Sequence, residues 1–290
     1  MRPSVSPHNL KPDIQTELDN LQENLSGPSR VHSWPSSFPN LSAGFAHFSH
    51  EVVESATAFL IDKVIKDNTG YAILSHTWLE IESEVTYEDR TRSKRWRSIQ
   101  KEGGAGYRKL FSFNKTAYNA AKVDFAWMDT VCINKDSTSE LEESIRSMYR
   151  WYKLSDICIA YLGDTDLYLD MEDDRWFTRG WTLQELLAPQ KIKFFNRDWN
   201  PLTSNEDDKT AEEINIIIER AAGIDHRSLT SFTPGIGRGV AYKMAWAARR
   251  QTTRAEDIAY CLMGIFGVSF SIAYGEGAER AFLRLIEAIM

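Results

Sequence analysis

The chain reads as an α/β protein: a mostly parallel sheet flanked by helices, followed by an all-helical extension. Two observations predict this. Between Tyr71 and Trp199, short apolar runs alternate with amphipathic segments of helical spacing, the pattern of a parallel sheet covered on both faces. After Trp199 the short apolar runs stop and helical patterns alone remain. With 290 residues, 42% of them hydrophobic, the chain is long enough for one large domain or a core with a subdomain.

The elements follow in order. Residues 1–50 hold six of the nine prolines and many serines, so an irregular segment is expected there, with Trp34, Phe38, Phe45 and Phe48 as candidate anchors. Residues 51–70 carry Val52, Ala56, Phe59 and Ile61 at helical spacing and form a helical lead-in. The α/β core occupies residues 71–200, with strands expected at 71–75, 124–128, 156–162 and 191–195. The charged, glycine-rich stretch 81–106 is expected to be a loop or a small helix. A helix over 107–121 turns Leu110, Phe111, Ala117 and Tyr118 inward. A second opens at Ser139, where Ser139-Glu-Leu-Glu142 matches a capping box, and places Leu141, Ile145, Met148 and Tyr152 inward. The extension, residues 201–290, is expected to pack on the core. Its helices fall at 212–222, at 240–250, from a capping box at Thr253-Arg-Ala-Glu256 to Phe266, and at 276–290.

One segment stands apart chemically. Residues 175–189 pack two arginines, two tryptophans and a glutamate around a short helix that Pro189 must end. Trp176, Arg179, Trp181, Gln184 and Glu185 offer flat faces, a cation and a carboxylate, the wall of a site for a planar or anionic ligand. In a doubly wound sheet the ligand crevice opens at the carboxyl ends of the strands. Ser75, His76 and Trp78 follow the first strand, Asp129 to Asn134 the second, and the Trp176 to Glu185 segment the third, so three stretches are expected to converge on one mouth. Each has a structural alternative. Thr182-Leu-Gln-Glu185 is itself a capping box, His76 suits a hydrogen-bonded core position, and Asp129 suits a loop cap. Trp127 and Trp151 read as core. Gly235-Ile-Gly-Arg-Gly239 reads as a connector, and the acidic run 164–174 as a solvated loop.

Composition excludes several classes. A formal net charge of -7 argues against a nucleic-acid surface. Mean hydropathy of -0.40 and the lack of any apolar run near ~18 residues exclude a membrane span. Three scattered cysteines form neither a disulfide framework nor a metal motif, and the first residues lack the apolar stretch of a secretory signal, so a cytoplasmic location is expected.

Four motifs in order then carry a family resemblance. Tyr71-Ala-Ile-Leu-Ser-His-Thr-Trp78, Phe125-Ala-Trp-Met-Asp-Thr-Val-Cys-Ile-Asn134 and Arg179-Gly-Trp-Thr-Leu-Gln-Glu-Leu186 lead to Thr252-Thr-Arg-Ala-Glu-Asp-Ile-Ala-Tyr-Cys-Leu-Met-Gly-Ile-Phe266 with Tyr274-Gly-Glu-Gly277. Together they resemble the heterokaryon incompatibility (HET) domain of filamentous fungi over roughly 71–290. Leu79 stands where a glycine often follows the tryptophan, and Val131 where a second cysteine often sits, which removes a paired-cysteine chemistry. The resemblance implies a role in non-self recognition and programmed cell death. HET domains are in turn distantly similar to TIR domains, which use a flavodoxin-like sheet and in some members cleave NAD with a glutamate on the helix after the third strand. That likeness implies Glu185, within Trp181-Thr-Leu-Gln-Glu-Leu186, as the catalytic carboxylate. It also implies Ser75, His76, Trp78, Asp129, Trp176, Arg179 and Trp181 as ligand-binding residues, with no metal and no required cofactor. The implied partners are NAD or a related nucleotide, further copies of the chain, and a regulatory NLR-type region or partner. The alternative is a non-enzymatic death-signalling module that self-associates or binds a partner through the same surface.

Overall fold

The structure is a computed structural model that describes residues 70–80, 82–237 and 239–290. The expectations for residues 1–50 and, up to residue 69, for the helical lead-in 51–70 lie outside the described residues.

Four strands appear where the apolar runs predict them: β1 (Tyr71–His76), β2 (Phe125–Trp127), β3 (Ile157–Tyr161) and β4 (Ile192–Phe195). They pair in the order β2-β1-β3-β4, every pair parallel. Ala72 of β1 lies opposite Ile157 of β3, and His76 opposite Tyr161. Strand side chains alternate between faces. Ala72, Leu74, Ile157, Ile159 and Phe195 therefore build one core layer, while Ile73, Cys158, Ala160, Ile192 and Phe194 build the other. The chain changes direction across the sheet between β1 and β3, the switch point of a doubly wound fold.

Between β1 and β2 run α1 (Tyr87–Thr91), α2 (Ser93–Glu102) and α3 (Ala105–Thr116), the last continued by a π-helical turn at Ala117–Ala121. The stretch expected to be a loop or small helix is thus two helices, the first held by a reciprocal Thr86 and Asp89 capping box. The buried stripe of α3 is Gly106, Lys109, Leu110 and Phe113. Leu110 and Ala117 are inward as predicted, but Phe111 and Tyr118 are 58% and 66% exposed. They lie about 100° around the helix from the stripe that the sheet selects.

After β2 come α4 (Asp129–Cys132) and α5 (Thr138–Leu154), which packs Ile145, Met148 and Tyr152 on the second layer. Its cap is Ser137, whose hydroxyl accepts from the Glu140 amide. The predicted Ser139 box does not form, because Glu142 pairs with Arg146 instead. Between β3 and β4 lie two 3-10 turns, Tyr168–Asp173 and Arg175–Thr178, and then α6 (Thr182–Leu187), all six of whose residues are buried. The predicted Thr182 and Glu185 capping box is absent too. The Thr182 hydroxyl reaches the Trp176 carbonyl at 2.5 Å, and Glu185 is drawn to β1. At the other end of α6 the Lys209 ammonium caps the carbonyls of Pro189 (2.6 Å) and Leu187 (3.4 Å).

The extension comprises α7 (Glu212–Ala222), α8 (His226–Thr230), α9 (Val240–Ala247), α10 (Asp257–Tyr260), α11 (Met263–Phe266) and α12 (Ala278–Ile289). Ile214, Ile217 and Ile218 of α7 join the α5 and α6 core, as do Tyr260, Met263 and Leu285. The single helix predicted from Thr253 to Phe266 is divided into α10 and α11. Glu256 does not cap it through Thr253; its carboxylate accepts the amides of Gly275 (2.8 Å) and Gly277 (3.1 Å). Among the described residues no helix is long and apolar enough to cross a membrane.

Gly106 marks where the loop before α1 presses on α3. Its amide donates to the Ser83 carbonyl at 3.1 Å, and a Cβ there would lie 2.2 Å from that oxygen. Gly106→Ala is expected to lose about 1–3 kcal/mol of stability. A urea midpoint equal to the parent's would show that this loop is not clamped to α3.

Candidate functional site

The alternation of β1 determines the site. Ser75 and His76 are consecutive at its carboxyl end, so they face opposite sides of the sheet. Two buried polar clusters result, one on each face.

On the α6 face, the Trp176 indole N-H donates to the Ser75 Oγ at 2.7 Å, and the Ser75 hydroxyl donates to the Glu185 Oε2 at 2.5 Å. The Tyr152 hydroxyl stands beside the same carboxyl and donates to the Leu74 carbonyl at 2.8 Å. Glu185 is 9% exposed. Burial pushes its carboxyl up to about 8 and the charge of Asp129 adds to the shift; the hydrogen bond from Ser75, the nearby Tyr152 hydroxyl and the charge of Arg250 oppose it. The group is therefore mostly a neutral acid at neutral pH.

On the α3 face, His76 Nε2 lies 3.0 Å from Asp129 Oδ1 and His76 Nδ1 lies 2.9 Å from Lys109 Nζ. Lys109 also reaches Glu84 Oε2 at 2.6 Å. The second oxygen of Asp129 accepts from the Trp78 indole N-H at 2.9 Å, and Lys135 lies 3.6 Å from that oxygen and 3.6 Å over the Trp78 ring. Burial, then the Lys109 charge, lowers the His76 pKa, so the ring is neutral. Nδ1 then accepts from Lys109 and Nε2-H donates to Asp129, which uses both nitrogens. Burial alone would raise the Asp129 carboxyl. The His76 hydrogen bond and the Lys135 charge outweigh it and hold the group well below the usual carboxylate range.

The predicted site residues are thus gathered at the strand ends but not on one mouth. Ser75, Trp176 and Glu185 form one cluster; His76, Trp78 and Asp129 form the other. Trp176 is fully buried, its ring edge-on to Phe177 and Phe194, so its flat face is packed in the core and its role is to orient Ser75. Arg179 and Trp181 turn toward the extension: the Arg179 guanidinium donates to Thr253 Oγ1 at 2.8 Å, and the Trp181 N-H donates to Asp257 Oδ2 at 3.0 Å.

Glu84, Lys109, Lys135, Tyr152 and Arg250 join these clusters without being expected there from sequence patterns. Lys109 had a signal, since it sits in the inward stripe of α3 where an apolar residue belongs. Tyr152 reads as core by spacing, and the partner of its hydroxyl is a long-range matter. Arg250 is buried and donates to the Arg179 carbonyl and to Thr182 Oγ1, each at 2.8 Å, bracing the start of α6; nothing in the sequence marks it.

Two outcomes follow for stability. The folded state holds a proton on Glu185 that the unfolded chain releases near the ordinary carboxyl value of 4.5, so this group's contribution falls as pH rises from 4.5 through about 8. Glu185→Gln keeps a neutral acceptor and is expected to match the parent near pH 5 and to exceed it at pH 9 by on the order of 3 kcal/mol. Parallel stability profiles for the two proteins would contradict the raised pKa. In the other cluster, Lys109→Met leaves Glu84 buried without its cation and is expected to cost roughly 3–5 kcal/mol, of which Glu84→Gln in the same protein recovers at least half. Simple addition of the two losses in a double-mutant cycle would show that the pair is not coupled.

Comparison with known proteins places this geometry in a family. The heterokaryon incompatibility protein (HET) family matches residues 71–170, from the start of β1 past the end of β3. That span holds Ser75, His76, Trp78, Glu84, Lys109, Asp129 and Tyr152, while Glu185 lies beyond it. The Vegetative incompatibility protein HET-E-1 of Podospora anserina is 40% identical over 232 residues, 76% of this chain. The chain spans only 16% of that relative's length. No solved structure matches it significantly. The matched segment carries the two polar residues that end β1 and the relative extends the likeness over most of the chain, so this is a protein of the heterokaryon incompatibility (HET) domain family.

Proposed function

We propose that this chain acts in heterokaryon incompatibility, and that it does so by cleaving the bond between nicotinamide and ribose in NAD. One observation carries the chemical part: Glu185, on the helix after β3 and at the carboxyl edge of a doubly wound sheet, is a buried carboxyl oriented by Ser75 and pushed up to about 8. When the carbon-nitrogen bond breaks, its electron pair leaves with nicotinamide and positive charge develops on the ribosyl carbon. A carboxylate placed there stabilises that charge, and water then adds to the ribosyl carbon and gives up a proton. The cationic nicotinamide ring of the substrate favours ionisation of Glu185 on binding, so the resting acid becomes the working anion.

A second reading is favoured by the closure of this cluster. With Glu185 9% exposed and Trp176 fully buried, the acid is sealed, while Leu167 and Leu169 are each 65% exposed on the turn after β3. Such a surface suits a non-enzymatic module that acts by self-association or partner binding.

Incubation of the purified protein with NAD, with nicotinamide followed by chromatography, separates the two. Cleavage is expected, with kcat/KM rising up to about pH 8 as Glu185 ionises. Glu185→Gln is expected to lower it about 100-fold or more with the fold retained. Ser75→Ala removes a hydrogen bond that favours the anion and is expected to move the limb to higher pH. If Glu185→Gln kills cells as well as the parent at equal abundance, the hydrolase reading is wrong and the interaction module stands.

A further inference from the structure

At the end of β3, beside the His76 cluster, stands an aromatic pair that neither cluster uses. Tyr161, the last residue of β3, lies opposite His76 across the β1 and β3 pairing and shares the face of Ile157 and Ile159. The Trp199 indole stacks on its ring with centroids 4.5 Å apart and planes 17° from parallel, and both rings are partly open to solvent.

Trp199 holds this position against its own steric preference. Beyond β4, the Asn196 amide donates to the Asn200 carbonyl (3.0 Å), the Trp199 amide donates to the Asn196 carbonyl (2.9 Å), and the amides of Asp198 and Asn200 donate to Asn196 Oδ1 (3.1 and 2.9 Å). This closed turn sets residue 199 at φ 63, a left-handed conformation in which glycine or asparagine is at ease and a bulky side chain is a rare outlier. The Tyr161 hydroxyl donates to the Arg197 carbonyl at 3.1 Å and ties its ring to the same turn. A turn needed only to leave β4 would take asparagine here; the tryptophan adds an oriented indole at the sheet's carboxyl edge, next to the switch point where doubly wound sheets take their ligands.

We infer that Tyr161 and Trp199 form a stacking platform for one planar heteroaromatic ring of a nucleotide lying across the strand ends. The inference rests on the nucleotide reading above and adds to it the residues that would grip a ring on the face opposite Glu185. Aromatic stacking tolerates either a purine or a pyridinium ring, since each presents a π-face, and an indole suits a cationic ring especially.

The test measures binding apart from turnover, by calorimetric titration of NAD, adenosine monophosphate and nicotinamide mononucleotide into the full chain bearing Glu185→Gln. Adding Trp199→Gly relieves the left-handed strain while deleting the ring. It is expected to leave the unfolding midpoint equal or higher and to weaken at least one probe tenfold or more, whereas Trp199→Phe stays within about threefold of its parent. Unchanged affinity in Trp199→Gly overturns the platform, and so does the absence of binding by all three probes. Binding that depends on Trp199 in a protein whose Glu185 form never releases nicotinamide keeps the platform and removes the hydrolase. Cleavage with an affinity indifferent to Trp199 does the reverse.

Discussion

The structure depends on β1, a strand buried on both faces that ends in two polar residues. Ala72, Ile73, Leu74 and Ser75 are fully buried and His76 nearly so. A parallel strand at this depth reaches no water, so polar side chains at its end must find partners within the protein. Each face supplies a different set: Trp176 and Glu185 meet Ser75, and Lys109 and Asp129 meet His76. The chemical identity of each cluster follows from which helix covers that face.

The two clusters resolve burial in opposite ways. Around His76 the charges are paired in a chain from Glu84 through Lys109 and the ring to Asp129, so ionised groups persist in a dry place. Glu185 is buried, accepts from the Ser75 hydroxyl and forms no ion pair among the described residues, so it keeps its proton. One set of contacts is organised for a permanent charge, the other for a carboxyl whose charge waits on its surroundings. That contrast makes Glu185 the carboxyl of the two whose charge responds most readily to a change in its surroundings.

The helical extension is the scaffold that aims α6. Arg250 donates to the Arg179 carbonyl and Thr182 Oγ1, the Gly180 amide donates to the Gln251 carbonyl at 2.8 Å, and Trp181 and Tyr274 share Asp257. Gly180 passes so close that a Cβ would lie 2.5 Å from the Thr252 side chain. The third and fourth sequence motifs are therefore two sides of one contact, and Arg179 and Trp181, which look like ligand-binding residues in isolation, serve that contact.

By itself the sequence determined the four strands, the long helices α3, α5, α7 and α12, and the change to helices alone after Trp199, because apolar runs and helical periods are local properties of the chain. It also marked the strand ends that carry Ser75, His76 and Asp129, since a doubly wound sheet opens there whatever its details. It did not determine what those residues touch. Three capping boxes, at Ser139, Thr182 and Thr253, satisfied the local rule, yet the glutamate of each found a partner outside its box: Glu142 pairs with Arg146, Glu185 meets Ser75 110 residues earlier in the chain, and Glu256 holds the amides of Gly275 and Gly277. A local motif states which bonds a short segment is able to make, while packing decides which are made. The separation of Ser75 from His76, the burial of Trp176, the placing of Lys109 and Arg250, and the strained Trp199 over Tyr161 all arise from contacts between distant segments, and only the tertiary structure decided them.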